Sequence, residues 1–312
     1  MSEAIEKAGP RERLEAYRTK GNVGLREIST KLGCSASTLS RWLNNGYDGD
    51  VVGLEACVED FLRQETRKQV FNLAPFESYA TQVAHATFEQ IRKTRDVGLL
   101  CGPAGVGKSV AVAMYQRDNP TAVSIEVPVW RGSEHGVARM IFENVETRGW
   151  KGRESVSVFL AKRFAGSGRL ILVDNAHRLR RAGLQWLFDF HDATECPIGL
   201  VGNPEVLDTI RANDQMHSRI GIKRELCKDR RGKERLDWLA DAADKVVAAL
   251  WPASGASVRT LARESVLERG HLRALKKRII LAMDLIQTSK FREKDAEAFV
   301  EARHMMVWEA EG

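Results

Sequence analysis

Apolar residues along this chain change their spacing twice. Over the first 70 positions they recur at helical intervals, as Leu25, Ile28 and Leu32, then as Leu39 and Leu43 beyond Gly33. The spacing predicts a short helix over Leu25–Leu32, a turn at Gly33 and a second helix from Ser35 to Leu43. Ile28, Leu32, Leu39 and Leu43 point inward, and Ser35 is a natural N-cap. Leu54 to Leu62 reads as a further packing helix. From about residue 71 to 225 the pattern becomes short apolar runs, at Val97–Cys101, Ala122–Val129, Leu170–Val173 and Ile198–Val201. Helical stretches separate them, among them Tyr79–Thr94 and Val137–Thr147. Such runs predict buried parallel strands, and the alternation predicts an α/β core. Beyond residue 226 helical spacing returns over Arg235–Trp251, Val258–Leu267, His271–Thr288 and Lys294–Met305, punctuated by Pro252, Gly255 and Gly270. The predicted organisation is a helical segment over 1–70, an α/β core over 71–225 and an all-helical segment over 226–312.

Composition narrows the setting. The chain has 312 residues, 43% of them hydrophobic, enough for a sizeable core. No apolar run approaches the roughly 20 residues of a membrane span, and the polar start, Met1 to Gly9, shows no leader. Five scattered cysteines (Cys34, Cys57, Cys101, Cys196, Cys227) form no C-x-x-C, which favours reduced thiols and a cytoplasmic protein. Net charge is +6, unevenly spread: residues 1–70 carry 11 basic and 11 acidic side chains, residues 221–280 carry 15 and 8. The basic segment suits a polyanion, most plausibly nucleic acid; a solvated mixed-charge helical surface is the competing reading. His85, His135, His177 and His191 lack metal-ligand spacing, and no serine or cysteine nucleophile constellation stands out.

The chemistry starts at Gly102-Pro103-Ala104-Gly105-Val106-Gly107-Lys108-Ser109. This fits the phosphate-binding loop G-x-x-x-x-G-K-[ST], between an apolar strand and an apolar helix as the motif requires. Its glycines let backbone N–H groups approach a phosphate, and the helix N-terminus adds positive potential. Lys108 is expected to reach the β- and γ-phosphates of ATP or GTP, and Ser109 to put its hydroxyl on Mg²⁺. Arg169 to Asp174 resembles a Walker B strand, with Asp174 on Mg²⁺ opposite Ser109.

Asn175 departs from the AAA+ pattern, which usually has Glu there to polarise the attacking water. An amide orients water but does not accept its proton, so slow hydrolysis and a long-lived ATP-bound state are expected. Glu126 is the best substitute carboxylate, if it is not simply a solvated strand-end residue. Asn203, after the fourth run, resembles the sensor 1 group, although Pro204 also makes an Asn-Pro turn. Arg219 resembles an arginine finger reaching a neighbouring subunit's γ-phosphate, with Arg211 as competitor. Arg273, in Gly270-His271-Leu272-Arg273, resembles sensor 2 at the nucleotide, beside the basic helix residues Lys276, Lys277 and Arg278.

The segment from Leu25 to Asn44 resembles a phage-repressor helix-turn-helix. Ser37, Thr38 and Arg41 lie on the exposed face of its second helix, where such residues contact bases and phosphates. A small bundle used for protein contacts is the alternative. Lys151, Arg153, Lys162 and Arg163 are further candidates for a DNA-facing surface, on charge and position alone.

The whole order, helix-turn-helix, AAA+ P-loop core with a parallel sheet flanked by helices, then a basic helical domain, resembles the phage Mu B transposition protein family. Trp42-Leu43-Asn44-Asn45-Gly46-Tyr47-Asp48-Gly49-Asp50, Gly102 to Ser109, Leu170 to Leu179 and Gly199 to Asn203 carry the likeness. The resemblance implies an ATP- and Mg²⁺-dependent ATPase, phage-encoded and acting in a bacterial host. It implies a protein that binds double-stranded DNA largely without sequence preference, assembles on it as a helical filament, delivers it to a DDE transposase and stimulates strand transfer. Other readings of the same residues are a sequence-specific regulator with a nucleotide switch, and a replication initiator or helicase loader.

Overall fold

A computed structural model describes residues 9–70, 73–148, 150, 152–228, 232–288 and 294–306. The chain forms two compact units, Met1–Leu73 and Ala74–Gly312. In the first, α1 (Pro10–Gly21), α2 (Leu25–Leu32), α3 (Ala36–Leu43) and α4 (Val51–Val70) enclose Leu14, Ile28, Leu39, Trp42 and Val58. Gly33 ends α2 in the left-handed region, at φ +71°, which glycine adopts without a Cβ penalty. Ser35 Oγ then accepts the Thr38 N–H at 3.0 Å and caps α3. Ile28 and Leu39 are fully buried, whereas Leu32 and Leu43 are only partly covered. Trp42 takes the remaining volume, with the Arg11 guanidinium 5.1 Å from its ring centroid.

The second unit is built on a five-stranded parallel sheet in the order β2-β3-β4-β1-β5. The strands are β1 (Val97–Cys101), β2 (Val123–Glu126), β3 (Ile171–Asp174), β4 (Ile198–Gly202) and β5 (Ile220–Glu225). The flanking helices are α5 (Tyr79–Thr94), α6 (Lys108–Asp118), α7 (Glu134–Glu143), α8 (Val156–Phe164), α9 (Arg181–Thr194), α10 (Glu205–Arg211) and α11 (Asp214–Ser218). β1, β3 and β4 are buried throughout, as runs covered on both faces must be. The predicted run Ala122–Val129 is shorter as a strand: it ends at Glu126, and Val129–Arg131 turns as a 3₁₀ helix. β5 has no apolar run to announce it, because only Ile222 of its six residues is buried and it lies at the sheet edge.

Four more helices, α12 (Trp238–Leu250), α13 (Ala256–Ser265), α14 (His271–Thr288) and α15 (Asp295–His304), complete this unit. Leu239, Val247, Val258, Leu275, Ile279 and Phe299 are buried among them. Lys245 Nζ donates to the Glu77 carbonyl at 2.6 Å, and the Tyr79 and Trp238 rings lie 5.5 Å apart. These contacts tie α12 to the start of α5. No helix among the described residues is long and apolar enough to cross a membrane.

Candidate nucleotide site

The loop 102–107 leaves the carboxyl end of β1 and runs into the N-terminus of α6. Val106 anchors it in the core. Gly105 and Gly107 sit at φ +90° and +103°, a region that glycine alone adopts freely. A Cβ on Gly105 would collide with the Gly270 carbonyl oxygen just before α14, so the helical segment closes directly over the loop.

Lys108 is buried. Its ammonium donates to the carbonyls of Gly102 and Pro103, both at 2.7 Å, and to Asn203 Oδ1 at 3.2 Å. Burial pushes its pKa down to about 8, against the opposing pull of Asp174. All three bonded acceptors are neutral oxygens, so this dehydrated cation gains most from an anion entering the loop. The cradle therefore fits a phosphate group.

Arg273 lies at the first turn of α14. With Ala104, Asn203, Arg269 and Lys277 it lines a cavity of about 510 Å³, in the size range of small-molecule sites. Arg269, Arg273 and Lys277 make the wall basic, with Glu205 as the acidic member. Arg269 and His271 belong to this wall by tertiary packing; the only sequence signal was Gly270 ahead of a basic helix.

Asp174, at the end of β3, is 5% exposed, while Ser109 is exposed. Asp174 Oδ1 accepts the Asn175 N–H at 2.8 Å. Asn175 has φ +56°, and its Nδ2 donates to Glu126 Oε1 at 3.0 Å. Glu126 ends β2 directly opposite Asp174 in the ladder. Asn203 follows β4, and its backbone N–H donates to His177 Nδ1 at 3.3 Å. Burial holds His177 below the ordinary imidazole range, which keeps that nitrogen an acceptor. His177 had no motif to mark it.

Arg219 lies elsewhere. β5 runs parallel to β1 with Ile220 beside Val97, whereas the loop follows Cys101. Arg219 is thus at the opposite end of the sheet from its own phosphate loop, about 16 Å away at the usual rise per strand residue. Its guanidinium is 2.9 Å from Asp192 and 3.7 Å from Asp189, both on α9. Arg211 lies 4.0 Å from Asp208.

Among the candidate DNA contacts, Ser37 and Thr38 bond the Ser35 hydroxyl, each at 2.8 Å. Arg41 is exposed and reaches the Gly46 carbonyl at 3.2 Å and Asp48 at 2.9 Å. Arg153 is exposed, and Lys151 lies outside the described residues. Lys162 pairs with Glu154 and Arg163 with Glu146, which spends much of that face's charge internally. In the basic segment Lys223 and Lys228 share Glu225, and Arg263 pairs with Asp244.

Residues 91–210 match a family model described as an AAA domain. Over 268 residues the chain is 24% identical to the ATP-dependent target DNA activator B of Escherichia phage Mu, covering 82% of each. It is 22% identical over 205 residues to the Mu-like prophage FluMu DNA transposition protein B of Haemophilus influenzae, covering 62% of this chain and 69% of that one. In fold it is similar to the Orc1 protein of Aeropyrum pernix, solved with DNA, at a TM-score of 0.52 and 15% identity, covering 77% of this chain and 69% of the other. The core is thus an AAA-type P-loop fold, and the chain is a distant, superfamily-level relative of the B transposition proteins of Mu-like phages.

Proposed function

We propose that this protein is an ATP-dependent DNA-binding ATPase that assembles on target DNA and presents it to a DDE transposase. The observation that carries the reading is Lys108, a buried cation on neutral oxygens inside a glycine cradle, in a chain distantly related to target DNA activators. Lys108 and the loop N–H groups hold the β- and γ-phosphates, and Arg273 closes the site from α14. The Ser109 hydroxyl and Asp174 would hold Mg²⁺, which would supply positive charge to offset that of the phosphate oxygens. Asn203 joins Lys108 to His177 and so links the phosphate end to the segment after β3.

Hydrolysis is slow in this reading, because the carboxamide of Asn175 accepts no proton. The turnover that remains runs through Glu126, whose carboxylate Asn175 holds at the end of the neighbouring strand. Arg219 acts in trans on the next subunit's nucleotide, since its strand register keeps it away from its own. ATP is then chiefly an assembly signal, with subunits joined along the DNA in a filament. The test is nuclease footprinting on duplex DNA of arbitrary sequence. Long continuous protection that requires ATP supports the reading; protection of one short site, with or without ATP, contradicts it.

A further inference from the structure

Among the described residues, one strongly exposed apolar pair of the α/β unit is unaccounted for by the nucleotide site. Val129 and Trp130 stand side by side on the turn after β2, 67% and 79% exposed. An indole left this open beside a second apolar side chain marks a contact surface more than a packing accident. The turn is held firmly from behind. Arg180 N–H donates to the Gly132 carbonyl at 2.8 Å, and Arg178 Nη1 reaches the Val127 carbonyl at 3.4 Å. Residues 127–132 and 178–180 therefore form one ridge at the carboxyl ends of β2 and β3, the end of the sheet that carries the phosphate loop.

Charge decides what this ridge fits. Arg178, Arg180 and Arg181 are all exposed, and none has a carboxylate within ion-pair distance among the described residues. Nearby cations do use available carboxylates: Arg131 makes two 2.9 Å bonds to Glu143. Of the nearby acids, Glu126 is engaged by Asn175, and Glu134 and Glu205 are exposed carboxylates on this side. Two guanidinium groups without a carboxylate partner, and a third, Arg178, tied only to a neutral carbonyl, stand beside an open aromatic ring and match a phosphate backbone with a base or sugar face next to it.

We propose that Trp130 with Arg178, Arg180 and Arg181 forms a duplex-DNA contact surface governed by the nucleotide site. The arginines take successive phosphates, and the indole packs against the sugar and base edges between them. The control is short-range. Arg178 directly follows His177, which accepts the Asn203 N–H, and Asn203 Oδ1 accepts from Lys108. When Lys108 leaves Asn203 for a phosphate, the segment that carries the arginines loses one of its fixed points. The inference rests on the DNA-binding reading above and adds its location.

The experiment is a titration of labelled duplex DNA with ATP-loaded protein at several salt concentrations. Removing both charges in the variant Arg180→Ala with Arg181→Ala should flatten the slope of log affinity against log salt by about 2, one unit per lost phosphate contact. Trp130→Ala should weaken binding about fivefold or more with the slope unchanged. Arg180→Lys with Arg181→Lys should restore the slope, which a misfolded ridge would not. Wild-type affinity and slope in both loss-of-contact variants, with ATP binding intact, overturns the proposal. So does intact DNA binding with lost ATP-driven self-association, which would make the ridge a subunit contact. Absence of ATP-dependent DNA binding in the wild type would instead sink the functional reading itself.

Discussion

At position 175 the backbone takes φ +56°, and asparagine tolerates this left-handed conformation better than most residues. The carboxamide is then aimed at Glu126, 3.0 Å away on the adjacent strand. On the proposed reading, the carboxylate that acts lies one strand over, at Glu126, with Asn175 as its amide partner. Glu126→Gln should cut the remaining ATP turnover by about 10², the lower end of the weight of a general base, with ATP affinity unchanged. Steady-state phosphate release and nucleotide binding read the two separately. Unaltered turnover in Glu126→Gln removes that carboxylate from the chemistry. The sequence named both residues, but their contact depends on the register of β2 on β3, which no local motif encodes.

Among the elements, the phosphate loop is readable from its fixed glycine and lysine spacing, α5 from its length and period, and β1 from its fully buried apolar run. β5 was not, since an edge strand reading Ile-Gly-Ile-Lys-Arg-Glu exposes most of its side chains. The expected strand Ala122–Val129 runs into the first residue of the 129–131 turn because Val129 extends the apolar run, although its side chain is mostly exposed. In the first unit, α3 depends on a local signal that was legible: the Ser35 cap. Ser35→Ala should destabilise that unit by about 1 kcal/mol, the typical cost of a lost N-cap. Denaturant unfolding followed through the buried Trp42 measures it, and an unchanged midpoint would mean that α3 is held by packing alone.

For the whole molecule, the sheet topology separates two sets of residues. The carboxyl end gathers Lys108, Asp174, Asn175 and Asn203, while Arg219 sits at the amino end, held by Asp189 and Asp192. In isolation these carboxylates neutralise it; between subunits it would exchange them for a γ-phosphate. Arg219→Ala should leave nucleotide binding by the single chain within about twofold while abolishing ATP-driven assembly, as read by analytical ultracentrifugation. Assembly equal to wild type would assign the contact elsewhere, with Arg211 the next arginine to replace. That pairing was invisible in the sequence because α9 and residue 219 meet only in the fold.

In the proposed function, nucleotide at the loop licenses DNA binding. Its most direct measurement is the affinity of Lys108→Ala and wild type for the same duplex, with and without ATP, across salt. Wild type should bind tightly only with ATP and weaken steeply as salt rises, and Lys108→Ala should bind with ATP no better than wild type binds without it. Equal affinity of the two proteins in the presence of ATP would contradict the account.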